Sequence, residues 1–257
     1  MTTQIFATVE KILKEFLRDK IVLFFTFALP VFFLIVLPIL YQGAPSEIVS
    51  KLKGSLSVTM VSFLTMVAGY ADLSGSIASD RERGLYQKIA SMPVKPWMEG
   101  VGRSLGVWAL SSIGALIVIS VGLVYGAEFN GDFIVILKCI GLFMLVAIAS
   151  AGIGLIIASL VKAESAATHA GVAITLLTAF LGGMFLPYSM LPPFLQSFAR
   201  VYPVSSANAS MVSLLQGQRI AGYDPLNTPQ IGVTILLSCF CFVLGLALYA
   251  RRCWRTK

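Results

Sequence analysis

The sequence predicts an all-α, polytopic membrane protein with six transmembrane helices. Of its 257 residues, 57% are hydrophobic and only 12% are charged, whereas a soluble domain usually carries about 25% charged residues. The apolar stretches are also long enough to cross a hydrocarbon core of about 30 Å, which needs about 20 helical residues. Five stretches carry no charge and a sixth is interrupted only by Asp72: Ile21 to Ser46, Gly54 to Ser79, Ser104 to Ala127, Cys139 to Val161, Ser165 to Ala199 and Pro225 to Ala250.

Residues 1–20 predict an amphipathic helix that lies on the cytoplasmic membrane surface. Apolar side chains recur there at roughly helical spacing, with charged side chains between them. The apolar positions are Ile5, Val9, Ile12, Leu13, Phe16 and Leu17. A secretory signal peptide would instead combine a basic start, a short apolar run and a small-residue cleavage site. An ordinary solvated segment leading into the first span is the alternative.

Residues 21–257 are expected to form a single transmembrane domain. We predict its spans at residues 21–41, 56–79, 104–126, 133–160, 166–185 and 230–250. Pro30 and Pro38 should bend the first span, because proline removes a backbone donor. The four-residue spacing of Gly122 and Gly126 lets two helices approach closely, although such a pair can equally serve local packing alone.

The segment between the fifth and sixth spans, residues 186–220, is unusual. It is too apolar for a solvated loop and too rich in proline for a straight helix, with Pro187, Pro192, Pro193 and Pro203. Short apolar pieces of this kind are typical of re-entrant or interfacial segments. Irregular backbone at that depth must be buried in protein or line a watery cavity. We therefore expect packed structure on the outer face, near a pathway.

The basic residues predict the orientation. When alternate loops are assigned to one side, 14 of the 19 Lys and Arg residues fall on the side of the two termini. Basic residues accumulate on the cytoplasmic side, so both termini should lie in the cytoplasm. This distribution explains the net charge of +7 without nucleic-acid binding, which would require a basic stripe on one folded face.

The chain lacks the residue patterns of an enzyme or a metal site. One histidine, His169, excludes the zinc-protease pattern His-Glu-x-x-His, and no Gly-x-Ser-x-Gly elbow occurs. The dipeptide Gly-Lys of a phosphate-binding Walker A loop is also absent from the sequence. The four cysteines lack zinc-site or disulfide spacing and should be free thiols: Cys139, Cys239, Cys241 and Cys253. We therefore expect no catalytic residue, no metal and no cofactor on this chain.

Two titratable residues within the predicted spans have alternative interpretations. An ionised Asp72 costs at least about 2.5 kcal/mol at membrane depth, so it should face a cavity or a partner. It either lines the pathway and meets a cationic or polar substrate, or bonds to a neighbour such as Ser74, Ser76 or a tyrosine. His169 could titrate near neutral pH, but we favour a hydrogen-bonded packing role.

The loop of residues 80–97 carries a recognisable motif. It reads Asp80, Arg81, Glu82, Arg83 and Gly84, followed by Pro93, Val94, Lys95 and Pro96. This resembles the inner loop of the type-2 ATP-binding-cassette exporter permeases, in which an acid, a basic residue, Glu, any residue and Gly precede a proline some nine residues later. Asp80 stands where that family commonly has Glu, a conservative difference.

A second motif resembles the same family's signature between its fifth and sixth spans. It consists of Gly182, Gly183, Met184, Phe185, Leu186 and Pro187, then Leu191, Pro192, Gln196, Tyr202 and Pro203. The two motifs occur in the expected order and on the expected sides of the membrane. The resemblance covers essentially the whole chain, including the N-terminal amphipathic helix.

The resemblance implies a permease subunit of the drug, ion and lipid export branch, in the cell membrane of a prokaryote. Two such subunits, identical or related, would form the pathway, and two separate ATPase subunits, which bind ATP and Mg²⁺, would drive export. The loop from Asp80 to Gly84, with Pro93, would dock on the ATPase. Its charges of both signs, the turn at Gly84 and the stop at Pro93 suit a short, stiff lever.

Three alternatives remain from the sequence. The loop could be a solvated basic loop that only sets topology. The protein could be a secondary transporter or channel without an ATPase, although the broken segments do not correspond across two inverted halves. An intramembrane enzyme is the third alternative, and the missing motifs argue against it.

Overall fold

The computed structural model describes residues 2–39, 46–90, 94–129, 131–186, 188–216 and 222–254, and all regular structure within them is helical. Pro93 and Pro187, two of the predicted site residues, lie outside the described residues. So do the end of the predicted first span, residues 217–220 of the predicted outer segment, and Arg255 and Lys257 in the basic C-terminal stretch.

The described residues form eleven α-helices and two short helical turns. Their bounds are α1 Thr2–Arg18, α2 Lys20–Ile39, α3 Ser46–Met66, a π-helical turn Val67–Asp72, α4 Leu73–Glu82, α5 Leu85–Ala90, α6 Pro96–Val124, α7 Phe133–Leu160, α8 Glu164–Leu181, a 3₁₀ turn Tyr188–Met190, α9 Pro193–Val201, α10 Pro203–Gln216 and α11 Thr228–Arg252. Within the described residues, six helical segments are long and apolar enough to cross a membrane, which confirms the predicted number.

The second of these six segments is the centre of the bundle. It runs through α3, the π-helical turn and α4 as one helix, Val49–Glu82. Its apolar stretch is 89% buried, whereas the other five are 17–33% buried. The five surrounding helices therefore present wide apolar faces outwards, as helices in contact with hydrocarbon must.

Glycines allow the central helix to pack tightly against α7. A side chain at Gly154 of α7 would meet the backbone oxygen of Gly69 in the π-helical turn. The crossing of α7 and α11 is similarly close, because a side chain at Gly152 would meet the backbone of Cys241 and Phe242. Small residues at such crossings let membrane helices gain van der Waals contact over their full length.

We call the end of the bundle that holds α1, α5 and the last turn of α11 the termini end. There part of the apolar face of α1 is buried, with Ile12 fully enclosed and Phe16 6% exposed, whereas Leu17 is 62% exposed. A side chain at Gly102 or Gly106 of α6 would meet Thr8 or Ile12, respectively. The first helix is therefore fitted closely against α6.

The opposite end, here the far end, holds α9 and α10. Prolines set their bounds: Pro193 and Pro203 begin the two helices, where a missing backbone donor costs nothing. Tyr202 between them is extended, as expected for a residue that precedes proline. The two short helices therefore stay separate and do not form one long helix.

Candidate functional site

A fully buried arginine forms the centre of a polar network at the termini end. Arg103 of α6 has no exposed side-chain surface. Its guanidinium donates to Glu99, one turn earlier on α6, and to Asp80 at the end of α4. A third bond of 3.2 Å runs to the Ser76 hydroxyl. Five donors in a planar fork allow arginine to bind several groups at once.

Asp80 connects this arginine to the N-terminal helix. Its carboxylate also accepts a hydrogen bond of 2.6 Å from the ammonium group of Lys11 on α1, and its side chain is only 5% exposed. Nearby, the Ser76 hydroxyl donates to Glu15 of α1 at 3.3 Å. Because a buried ion is costly unless it is paired and hydrogen-bonded, these bonds hold α1, α4 and α6 in one arrangement.

Two tyrosines extend the network to α5 and α11. The Tyr249 hydroxyl of α11 donates to Glu99, and it also bonds the Tyr86 hydroxyl of α5 at 2.9 Å. The Arg103 guanidinium lies 5.9 Å from the centre of the Tyr86 ring. Burial raises the pKa of Tyr86 well above its usual range, so this phenol stays protonated and available as a donor.

The two residues after Asp80 bind other parts of the bundle. Arg81 donates to the backbone oxygen of Ala158 near the end of α7 and, at 3.2 Å, to the Cys253 sulfur. Glu82 accepts a 3.0 Å hydrogen bond from the backbone N–H of Glu164 at the start of α8, where a helix has unpaired donors and favours negative charge. Three consecutive charged residues thus contact five different helices, α1, α6, α7 and α8 together with the end of α11.

The chain then turns sharply at Gly84. Its φ of +68° lies in the left-handed region, which glycine adopts with little strain. The turn leads into α5, which buries Tyr86 on the network and exposes its opposite face. We call the exposed residues Arg83, Gln87 and Lys88 the docking face.

The structure brings most of the predicted loop motif together with residues that sequence reasoning missed. Glu99, Arg103, Tyr86 and Tyr249 were not singled out, although they complete the network around Asp80. One signal was available in the sequence. An acidic and a basic residue four positions apart at the start of an apolar span would be expected to pair.

The predicted outer motif forms the far-end segment, which consists of residues 182–216 apart from Pro187. Gly183 has a φ of +70°, and the Ser205 hydroxyl of α10 donates to the backbone oxygen of Gly182. Gln196 of α9 donates to the backbone oxygen of Leu191 at 2.8 Å. Its own backbone oxygen accepts from the Tyr188 hydroxyl at 3.2 Å. Pro192 caps and Pro193 begins α9, and Pro203 begins α10.

The central helix is bonded directly to the far-end segment. Tyr70, in the π-helical turn, shares a hydrogen bond with Tyr202 between α9 and α10. Earlier in the same helix, Ser62 donates to the Asn208 side-chain oxygen at 2.9 Å. Burial raises the pKa of Tyr202 to about 12, so its hydroxyl keeps its proton at neutral pH. The central helix therefore contacts the far-end segment near its own midpoint, and its C-terminal end carries the loop motif.

The two remaining candidates lie apart from both clusters. The Asp72 carboxylate accepts a 2.9 Å hydrogen bond from Thr26 of α2, so its partner is a threonine of the first span rather than Ser74, Ser76 or a tyrosine. His169 is exposed on α8, and its Nδ1 bonds the backbone oxygen of Ser165 one turn earlier.

Comparisons with known proteins agree with the family resemblance that both motifs carry. Residues 3–215 match the family described as ABC-2 type transporter. The chain is 23% identical over 239 residues, 93% of its length, to the probable doxorubicin resistance ABC transporter permease protein DrrC of Mycobacterium tuberculosis, 84% of which is covered. It is 24% identical over 207 residues, 80% of its length, to the linearmycin resistance permease protein LnrN of Bacillus subtilis, half of which is covered.

Proposed function

The chain belongs to the ABC-2 type transporter family, and from this premise we propose that the network around Asp80 couples a partner ATPase to the transport pathway. The protein is an exporter permease subunit related to drug and antibiotic resistance exporters. One observation carries the proposal: Asp80, Arg81 and Glu82 are consecutive, yet each binds a different set of helices. A push on this short stretch therefore reaches most of the bundle.

The orientation in the membrane is part of the proposal. The termini end would face the cytoplasm of a prokaryote and the far end the outside, as the distribution of basic residues indicates. The exposed side of α1, with Lys14 and Glu10 paired across one turn, would lie at the headgroup level. The short helices α9 and α10 would dip into the outer leaflet without crossing it.

The proposed partners follow from the family. Two copies of this chain, or this chain and a relative, would form the pathway, and two ATPase subunits would bind ATP and Mg²⁺. The docking face would contact the ATPase, since it is exposed and adjoins the buried network. The bond between Tyr86 and Tyr249 then connects α5 to α11.

Coupling would proceed by rigid movement. Closure of the ATPase dimer around ATP would displace α5 and, through the short turn at Gly84, α4. Helices α1 and α6 would follow α4, because the ions of the network cannot separate without exposing buried charge. Since α4 is the last part of the central helix, the displacement would reach Tyr70 and the far-end segment. Such a change would switch the pathway between inward-facing and outward-facing states.

The cargo that we propose is an amphiphilic, drug-like molecule. Both relatives are described by resistance to a drug, doxorubicin or linearmycin, and this chain shares their family. A pathway role for Asp72 stays a prediction. If Asp72→Asn leaves both transport and ATPase stimulation unchanged, Asp72 only holds α2 through Thr26.

The docking proposal is tested by reversing one charge. We expect Arg83→Glu to reduce the amount of ATPase that co-purifies with the permease about tenfold, a loss typical of one important interface residue. Arg252→Glu is the matched control, because Arg252 is an exposed arginine at the same end of the bundle. Equal recovery of the ATPase with the parent permease, Arg83→Glu and Arg252→Glu would refute docking at the docking face.

A further inference from the structure

The far end of the protein contains a partly open cavity, one side of which is formed by the outer motif at Gly182 to Leu186. Its volume is about 390 Å³, within the range of about 300–1,000 Å³ for small-molecule pockets. It lies within one subunit, between the outer halves of α2 and α3 and the far-end segment. The described lining includes Phe33, Thr59, Phe180, Phe185, Asn208 and Tyr223.

One wall of the cavity is aromatic. The Phe185 ring lies 5.2 Å from that of Phe33, 5.2 Å from that of Phe63 and 5.1 Å from that of Phe180, measured between ring centres. On another side, the Tyr188 and Tyr223 rings lie 5.4 Å apart. Flat rings in offset or edge-on contact favour further aromatic groups.

A second wall carries the polar groups. Ser55 and Thr59 of α3 and Asn208 of α10 line it. Asn208 is held in place because its oxygen accepts from Ser62 and one N–H donates to Thr59 at 3.3 Å. A side-chain amide has two N–H groups, so Asn208 keeps a donor for a ligand. The described lining includes no Asp, Glu, Lys or Arg, which disfavours a small inorganic ion.

We propose that this cavity binds a planar, polycyclic aromatic amphiphile, with its rings against the Phe185 cluster and a hydrogen-bonding group against Thr59 and Asn208. This rests on the proposed export function and specifies its cargo class and the site within one subunit. A saturated lipid chain would use neither the aromatic stacking nor the fixed amide. The cavity lies between the central helix and the far-end segment, the two parts that the displacement proposed for coupling would reach.

The direct test fills the cavity. Full-length permease in phosphatidylcholine nanodiscs is titrated into doxorubicin, a fluorescent planar amphiphile, and the dissociation constant is measured by fluorescence anisotropy. Ala209→Trp places an indole in the cavity, which Ala209 lines, and should weaken binding about tenfold or more. Ala247→Trp, at an exposed alanine of α11, should change it less than twofold. Equal affinity of the two variants would overturn the proposal.

A second measurement distinguishes the aromatic ligand from a lipid chain. The Phe185→Trp variant carries a fluorescent reporter in the cavity wall, and the fluorescence of the parent protein, with its three native tryptophans, is subtracted. In nanodiscs with brominated phosphatidylcholine, doxorubicin should change the fluorescence of this reporter in a saturable way. Strong quenching by the brominated chains that doxorubicin cannot alter would show a lipid in the cavity and overturn the proposal.

The failure of this inference differs from failure of the proposed function. Doxorubicin binding is measured on the permease without its ATPase, whereas ATPase docking is measured by co-purification with permease whose cavity residues are unchanged. If co-purification succeeds and cavity filling has no effect on doxorubicin binding, only the inferred site is wrong. If cavity filling weakens binding but no ATPase associates, the site stands and the coupling proposal is wrong.

Discussion

At the scale of single residues, the buried ions determine how the helices are arranged at the termini end. Arg103 is enclosed completely and neutralised by Glu99 and Asp80, while Lys11 gives Asp80 a second partner. A buried pair adds little net stability over apolar residues of the same size, but removal of one partner leaves an uncompensated charge. The network therefore specifies one arrangement of helices more than it strengthens the fold.

We expect Arg103→Met to destabilise the protein by on the order of 3 kcal/mol, because Glu99 and Asp80 lose their buried partner. The melting temperature in detergent measures the effect. Lys14→Met is the control, since Lys14 forms the same four-residue pairing with Glu10 but on an exposed surface. Its melting temperature should match that of the parent protein. An equal loss in both variants would contradict the role of burial.

At the scale of helices, the central helix joins the two motifs. It changes from α to π geometry at Val67–Asp72, a feature often found at functional sites. The wider turn places Tyr70 against Tyr202 and Asp72 against Thr26, and it is where α7 approaches most closely. The same helix then ends in Asp80, Arg81 and Glu82. Its geometry in the middle thus determines where the loop motif lies.

The crossing of α7 with the central helix should be sensitive to a single methyl group. Gly154→Ala would place that group on the Gly69 backbone oxygen, so we expect a loss of 1–3 kcal/mol, about the cost of overpacking a core. Gly141→Ala on the same helix has no heavy atom within 4 Å and should be neutral or slightly stabilising. Thermal unfolding of both variants compares them directly, and similar curves would exclude a tight crossing.

The turn between α4 and α5 should affect coupling more than stability. Gly84→Ala forces a side chain into the left-handed region at a cost of about 1–2 kcal/mol and changes the direction in which α5 leaves α4. We expect ATP hydrolysis by the assembled transporter to continue while transport falls. Gly232→Ala, where nothing lies within 4 Å, serves as the control. Unchanged transport per ATP in Gly84→Ala would contradict the lever role.

At the scale of the whole molecule, the described residues place one mostly buried long helix among five with exposed apolar faces. The loop motif and the docking face lie at one end, and the cavity and the far-end segment at the other. A movement of the central helix would therefore change both ends together. Under the proposed coupling, the partner ATPase would act at the termini end and the cargo would leave at the far end.

Neutralising the network should separate stability from coupling. The triple variant Asp80→Asn, Glu99→Gln and Arg103→Met replaces the three buried ions with neutral side chains, of which Asn and Gln keep the original shapes. We expect it to regain at least half of the stability lost in Arg103→Met, because no buried ion is left unpaired. Lys11 loses its Asp80 partner, but its side chain is 39% exposed and stays hydrated. Transport per ATP hydrolysed, measured in proteoliposomes with the ATPase, should still fall several-fold. Normal transport in this variant would mean that the network has only a structural role.

The sequence by itself determined the class of the protein and the number of long apolar helices. Both are local properties, since bilayer thickness sets the length of an apolar stretch and composition shows each stretch directly. The motif beginning at Asp80 was also readable, because its spacing lies within one short segment. The resemblance that it carries is confirmed by the family match over residues 3–215.

Only the tertiary structure decided what those residues contact. Glu99 and Tyr249 are 150 positions apart, Tyr70 and Tyr202 are 132 apart, and Thr26 and Asp72 are 46 apart. Such pairs form because glycines let particular helices approach and because buried polar groups must find partners wherever packing places them. The pattern along one helix shows that Arg103 must be neutralised or exposed. Glu99 is within reach along the same helix, whereas the packing of neighbouring helices brings in Asp80. The same packing leaves an aromatic cavity at the far end.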